Sequence, residues 1–154
     1  MTVEPLGRHL VFTAKVVREA FEETLAAAGG SLGTWIVLSA LSSEGVISQT
    51  ALAEHIEVEG ATITHHIDRL EGLGLVRRQR DPEDRRVRRL ELTAAGTRLH
   101  RSLLTAVKEL EATAAAGLTE PQQAEFRRTL DLIRSNLSAM RAASATPSAR
   151  RRSS

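Results

Sequence analysis

A mainly α-helical fold with one small β-hairpin (α+β) is predicted for this chain by three observations. Apolar residues recur at helical spacing through most of the 154 residues. Glycines and Ser/Thr caps break the pattern into short helices, and one Arg-rich stretch alternates on either side of an Asp-Pro turn. The length suits one domain with a real core, and 42% apolar with 26% charged residues is an ordinary globular composition. Cysteine is absent, which excludes disulfides, thiolate metal sites, cysteine nucleophiles and thiol redox sensing.

Taken in order, Leu6, Leu10, Val17, Phe21 and Leu25 mark a first helix over 4–28, stopped by Gly29-Gly30. A second stripe of Leu32, Trp35, Ile36, Leu38 and Leu41 closes at Ser42 to Gly45, and Val46-Ile47 is a very short extended piece. Ser48 caps a short helix bearing Leu52, Ala53 and Ile56. The next helix turns Ile63, Ile67 and Leu70 inward and ends at Gly72 and Gly74. The hairpin runs from Leu75 to Gln79, turns at Asp81-Pro82-Glu83-Asp84, and returns from Arg86 to Leu92. Two short helices followed by such a hairpin form a helix-turn-helix with a wing. Thr93 caps a helix from Ala94 to about Gly117, with Leu99, Leu103, Ala106 and Leu110 on one face. Thr119 to Gln122 has capping-box spacing and opens a last helix. Its Phe126, Leu130, Ile133, Leu137 and Met140 form a narrow apolar seam.

Charge is unevenly placed. The chain carries a net of +2, and nineteen of its twenty-one cations are Arg, Lys15 and Lys108 being the others. Residues 1–68 have a net of −6, residues 69–89 a net of +4, residues 90–140 none, and the tail from 141 adds four Arg. A local basic footprint on an otherwise acidic or neutral chain suits a polyanion. Thr24 to Ser43 is uncharged for twenty residues, but Gly29, Gly30, Ser31, Gly33 and Thr34 at its middle read as a helix–helix junction rather than a membrane span. Glu4, Glu19, Glu22 and Glu23 argue against a secretory signal, so no membrane association and a cytoplasmic location are expected.

From Ile63 to Gly96 the residues resemble the recognition helix and wing of MarR-type winged-helix transcriptional regulators. The segments that carry the resemblance are Arg69-Leu70-Glu71, Gly74-Leu75-Val76-x-Arg78, Asp84-x-Arg86, Leu92-Thr93-x-x-Gly96 and, earlier, Trp35-x-Val37-Leu38. The order of elements agrees from about residue 5 to 141. The resemblance implies a homodimer with intertwined first and last helices, binding to palindromic double-stranded DNA, and release by a small ligand. It implies an N-terminal dimerisation helix over 1–30, a winged helix-turn-helix lobe over 31–93 and C-terminal dimerisation helices over 94–141, while the Ser, Ala, Pro and Arg composition of 142–154 reads as a disordered basic tail. His65 and His66 depart from the family pattern, as does the Glu59-Gly60 helix start.

Opposite Ile63, Ile67 and Leu70 the recognition helix carries Thr62, His65, His66 and Arg69 at spacings of three and four. Thr62, Thr64 and His65 are the expected base and phosphate contacts, and small Gly60 and Ala61 permit close backbone approach. The threonines also read as ordinary surface residues. Arg69 serves DNA equally well as an ion pair to Glu71 or the wing, whereas His66 is expected to pack at the helix–helix joint. Arg85, Arg86 and Arg88 sit where a wing tip reaches the minor groove, with Asp84 orienting Arg86. Arg77 and Arg89 are as readily a solvated hairpin edge. By resemblance, an effector pocket for a small aromatic or phenolic ligand lies among the first, second and fifth helices, with Arg8, His9, Phe12 and Trp35 as candidates.

Gly29 to Gly33 satisfies G-x-S-x-G, but a nucleophile elbow needs a strand before it, and a helix stands there. No phosphate-binding loop or HExxH occurs, and His9, His55, His65, His66 and His100 lack ligand spacing. No enzyme activity, cofactor or metal is expected. Two rivals to an operator-binding repressor are an architectural DNA-binding protein of low specificity and a helical dimeric protein-interaction module.

Overall fold

The computed structural model describes residues 5–56, 60–84 and 87–145, and within these the side chains of residues 60–62 and 145 are not described. The order of elements is α1 (Leu6–Ala27), α2 (Leu32–Glu44), β1 (Ile47–Ser48), α3 (Gln49–His55), α4 (Gly60–Gly72), β2 (Val76–Arg80), β3 (Arg88–Leu92), α5 (Ala94–Ala114) and α6 (Glu120–Ala145). The chain divides into two compact units between Thr113 and Ala114.

Local chemistry sets the boundaries in the first unit. Gly29 adopts φ +89°, and Gly30 N–H returns to Leu25 O at 2.8 Å, so α1 ends in a left-handed glycine turn. Ser31 then caps α2 by accepting from Thr34 N–H at 3.2 Å. The G-x-S-x-G sequence is therefore a helix end joined to a helix start. Among the described residues no single helix is long and apolar enough to cross a membrane, and α1 and α2 meet at 76°. Ser48 caps α3 by accepting from Ala51 N–H. Gly74, at φ +69°, closes α4 in the manner of Gly29, with Leu75 N–H reaching Leu70 O at 2.9 Å.

The core collects one or more side chains from every element of this unit except β1. Leu25, Leu38, Leu41, Leu52, Ile63, Ile67, Leu70, Val76, Leu90 and Leu103 are all buried. Removing each such side chain from water contributes about 1.5–3 kcal/mol before its ordering cost. Within α2, Leu38 and Leu41 of the expected stripe are buried, but Val37 is buried in place of Ile36, which is exposed. This helix is apolar on nearly every side, so spacing alone does not select its buried face.

The expected two-stranded hairpin is a three-stranded antiparallel sheet in the order β1-β3-β2. Ile47 pairs with Leu90, while Val76 pairs with Leu92 and Arg77 with Glu91. The returning strand begins at Arg88 rather than Arg86, because Val87 is used to close the turn: its N–H bonds Asp84 O and its O accepts Asp81 N–H. Thr93 caps α5 as predicted, accepting from Gly96 N–H at 3.0 Å while its hydroxyl donates to Gly74 O at 2.7 Å. That helix stops at Ala114, three residues before Gly117.

In the second unit Thr119 and Gln122 make the reciprocal bonds of a capping box at the start of α6. The helix runs to Ala145, beyond the expected start of the tail at 142. Its last turns, Ala139 to Ala145, are rich in alanine, the best helix former, and Pro147 follows. Phe126, Leu137 and Met140 of the apolar seam are exposed on this helix.

Gly96 is the tightest point of the wing–α5 junction. A Cβ there would lie 2.0 Å from Leu75 O, a backbone atom that cannot swing aside. Gly96→Ala is therefore expected to cost at least about 1–3 kcal/mol in urea unfolding. Gly7→Ala, where a Cβ meets nothing within 4 Å, serves as the control and should leave stability unchanged or slightly raised. Equal midpoints for the two variants would contradict this packing.

Candidate nucleic-acid interface

Packing of Ile63, Ile67 and Leu70 into the core orients α4 and leaves Thr64, His65 and Arg69 exposed. Gln49 Nε2, from the first turn of α3, donates to Thr64 Oγ1 at 2.7 Å, so that hydroxyl is tied to the preceding helix. His66 turns the other way. A Cβ on Gly33 would fall 2.7 Å from its ring, so the imidazole lies flush against α2 at the helix–helix joint. Gly60 and Ala61 stand in the first turn of α4 with Thr62, where the backbone is helical.

The seven arginines from 77 to 89 separate into distinct groups. Arg77 pairs with Glu91, its direct cross-strand neighbour. Arg78 reaches from β2 to α4 and engages Asp68 and Glu71, each at 2.6 Å. Burial alone would lower its pKa, but bonds to both carboxylates raise it above the usual arginine value. Glu71 is thus held by Arg78 rather than by Arg69. Arg89 pairs with Asp81 at 2.5 Å. Arg80 and Arg88, by contrast, stand opposite each other in the ladder, both exposed, and among the described residues neither has a carboxylate partner. Like charges in direct register are destabilising unless an anion joins them. Arg88 also borders a polar cleft with Ser48, Gln49 and Thr50 at the start of α3. Arg85 and Arg86, and with them the expected Asp84–Arg86 pair, lie outside the described residues.

Asp81, which the sequence offered only as a turn residue, organises the wing. Its buried carboxylate accepts Glu83 N–H at 2.7 Å, Asp84 N–H at 3.2 Å and Arg89 Nε. The backbone N–H of Glu83, then Arg89, hold its pKa below the ordinary carboxylate value against the opposing effect of burial. The signal for it was present in the Asp-Pro-Glu-Asp turn, where a first-position Asp bonds backbone two residues on.

The expected pocket residues fall in two places. Arg8 and Phe12 are exposed neighbours on α1, the guanidinium 5.6 Å from the ring centroid, and His9 is exposed beside them. Trp35 stacks on His100 of α5 at 5.4 Å and 14°, and lines a cleft with Ile36, Ser39, Ser43, His55 and Ile56. That cleft draws its walls from α2 and from α3 with its C-cap Ile56. Ser39 is 3.4 Å from His100 Nε2, and burial lowers the His100 pKa. Among the described residues no group of three or more His, Asp or Glu side chains is placed to hold a metal.

The MarR family model matches residues 31–87, the segment from α2 through the wing turn. An HTH-type transcriptional repressor of Mycobacterium tuberculosis is 31% identical over 132 residues, covering 86% of this chain and 95% of the relative. This chain belongs to the MarR family. The PcaV transcriptional regulator from Streptomyces coelicolor, solved in complex with its natural ligand, superimposes with a TM-score of 0.72 at 29% identity over 91% of this chain and 99% of that one. A mutant MarR from E. coli complexed with operator DNA shares the fold, with a TM-score of 0.77 at 23% identity over 84% and 93% of the two chains. Asp81 thus holds the turn between β2 and β3, and Arg78 ties β2 to α4, within the segment that the family model matches.

The Asp81 geometry predicts a pH-dependent stability. A carboxyl whose folded pKa lies below its ordinary value of 3.8 stabilises the fold above that value and ceases to as the pH falls through the folded pKa. Asp81→Asn should therefore be less stable than the wild type at neutral pH, with the gap closing below about pH 4. The Glu83 and Asp84 amides of the variant should exchange faster with deuterium. A gap unchanged between pH 7 and pH 3 would contradict the assignment.

Proposed function

We propose that this MarR-family protein is a cytoplasmic, sequence-specific DNA-binding repressor that acts as a homodimer on a palindromic operator. The observation that carries this reading is the exposed face of α4, with Thr64, His65 and Arg69 turned outward by the burial of Ile63, Ile67 and Leu70. In each half-site α4 enters the major groove, Gly60, Ala61 and Thr62 bringing its start close to the phosphates. The wing residues Arg85, Arg86 and Arg88 reach the adjacent minor groove, with Asp84 orienting Arg86, and the Arg80–Arg88 register places two cations side by side along its edge.

Dimerisation is supported by the apolar side chains left exposed in the single chain. Leu6, Val11, Phe12 and Val16 on α1 and Phe126, Leu132, Leu137 and Met140 on α6 are more than half exposed, and a second copy would remove them from water. On this reading residues 1–30 and 94–145 serve dimerisation, 31–93 serve DNA binding, and the Arg-rich sequence beyond 145 is a basic tail. A small aromatic or phenolic effector releases the DNA. Arg8, His9, Phe12 and Trp35 remain its candidate contacts, as PcaV was solved with a natural ligand and Trp35 borders a cleft in this chain.

Operators selected from random duplexes provide the test. Arg86→Ala should weaken operator binding by about 1–3 kcal/mol and reduce the salt slope by ~1 per monomer. His65→Ala should instead relax preference at one base pair in each half-site while random-duplex affinity holds. Unchanged affinity and slope for the first variant would remove the wing from the mechanism. Equal losses on operator and random DNA for the second would remove His65 from base readout.

A further inference from the structure

The recognition helix of a DNA-binding protein approaches a dense row of phosphates, yet α4 of this chain is formally acidic. From Gly60 to Gly72 it bears Asp68 and Glu71 against Arg69 alone, with His65 and His66 neutral, a net of −1. Asp68 is 57% exposed and Glu71 40% exposed, so neither is hidden from an approaching polyanion. Arg78 supplies the missing charge from outside the helix. Its Nη2 donates to Asp68 Oδ1 and its Nη1 to Glu71 Oε2, each at 2.6 Å, from a side chain only 16% exposed. One fork therefore spans both carboxylates, each bonded to its own terminal nitrogen of a planar guanidinium.

We propose that Arg78 is an electrostatic positioning residue: it contacts no phosphate itself but, paired with Asp68 and Glu71, offsets the net −1 of α4, so that the helix can approach double-stranded DNA. The inference rests on the DNA-binding reading above and assigns Arg78 a role distinct from that of Arg80 and Arg88. Those two side chains are exposed and lack carboxylate partners among the described residues, whereas both terminal nitrogens of Arg78 are occupied. It differs also from a merely structural strut. A strut would be missed whether or not the two carboxylates carried charge. A neutralising group becomes dispensable once they do not.

Full-length wild type, Arg78→Gln, Arg78→Lys, the double variant D68N/E71Q and the triple variant R78Q/D68N/E71Q are titrated with random-sequence duplex at several salt concentrations. Unfolding midpoints are measured in parallel. Arg78→Gln is expected to lose about tenfold or more in affinity at low salt, with the deficit shrinking as salt rises and the Debye length falls from ~10 Å at 0.1 M to ~3 Å at 1 M. Arg78→Lys should fall between it and the wild type. The triple variant should return to within about threefold of wild type, and D68N/E71Q should bind at least as tightly as wild type. A triple variant as weak as Arg78→Gln, with midpoints that match, would overturn the inference and place Arg78 on the phosphates. Should Arg78→Gln fail to fold, the double variant decides: weaker binding than wild type overturns the proposal, equal or tighter binding upholds it. A wild type that binds no duplex at low salt would overturn the DNA-binding reading itself, an outcome distinct from either.

Discussion

Burial of Ile63, Ile67 and Leu70 against the core decides where every other group on α4 stands. A helix has two sides, and once three large side chains are committed inward the residues between them are committed outward. Thr64, His65 and Arg69 owe their exposure to that commitment, as His66 owes its place against Gly33. The same constraint sets the wing. Leu75 follows the left-handed turn at Gly74, and its carbonyl receives the N–H of Thr93 while the Thr93 hydroxyl donates to Gly74 O, so the strands and α5 are anchored to the end of α4.

Charge on this lobe is spent in two ways. Arg77, Arg78 and Arg89 are paired within the chain, to Glu91, to Asp68 and Glu71, and to Asp81. Such pairs near the surface add little stability by attraction alone, but they fix the angles between helix, strand and turn. Arg80 and Arg88 are directly opposed and exposed, an arrangement that an isolated protein has no reason to keep and a polyanion-binding protein does. A net of +4 over residues 69–89 thus conceals a division between arginines paired within the chain and arginines left exposed.

Much of the lobe was legible in the sequence because its signals are local. Ser31, Ser48, Thr93 and Thr119 cap helices where Ser or Thr precedes an apolar run, and Gly29 and Gly74 end helices through positive φ. The inward face of α4 followed from spacing, and the expected packing of His66 at the helix–helix joint agrees with its ring against Gly33, although spacing groups it with the outward residues. What escaped is non-local. The pairing of β1 with β3 joins residues about forty apart, and no turn signal announces it. Arg78 could not be sorted from its six neighbours by composition, since its two acidic partners lie seven and ten residues earlier on another element. The burial of Val37 instead of Ile36 was hidden by the all-round apolarity of α2. Family membership is legible in the sequence itself, in the segments from Trp35 to Gly96.

The absence of cysteine allows the central claim to be tested directly, since one introduced thiol is unique. A photo-crosslinker attached through His65→Cys probes whether the outward face of α4 lies on base edges. The account predicts crosslinks to bases within two patches of the selected operator, one helical turn (about 34–36 Å) apart, abolished by excess unlabelled operator. Retention of binding with no crosslink to either patch, or crosslinks scattered evenly along the duplex, would contradict it.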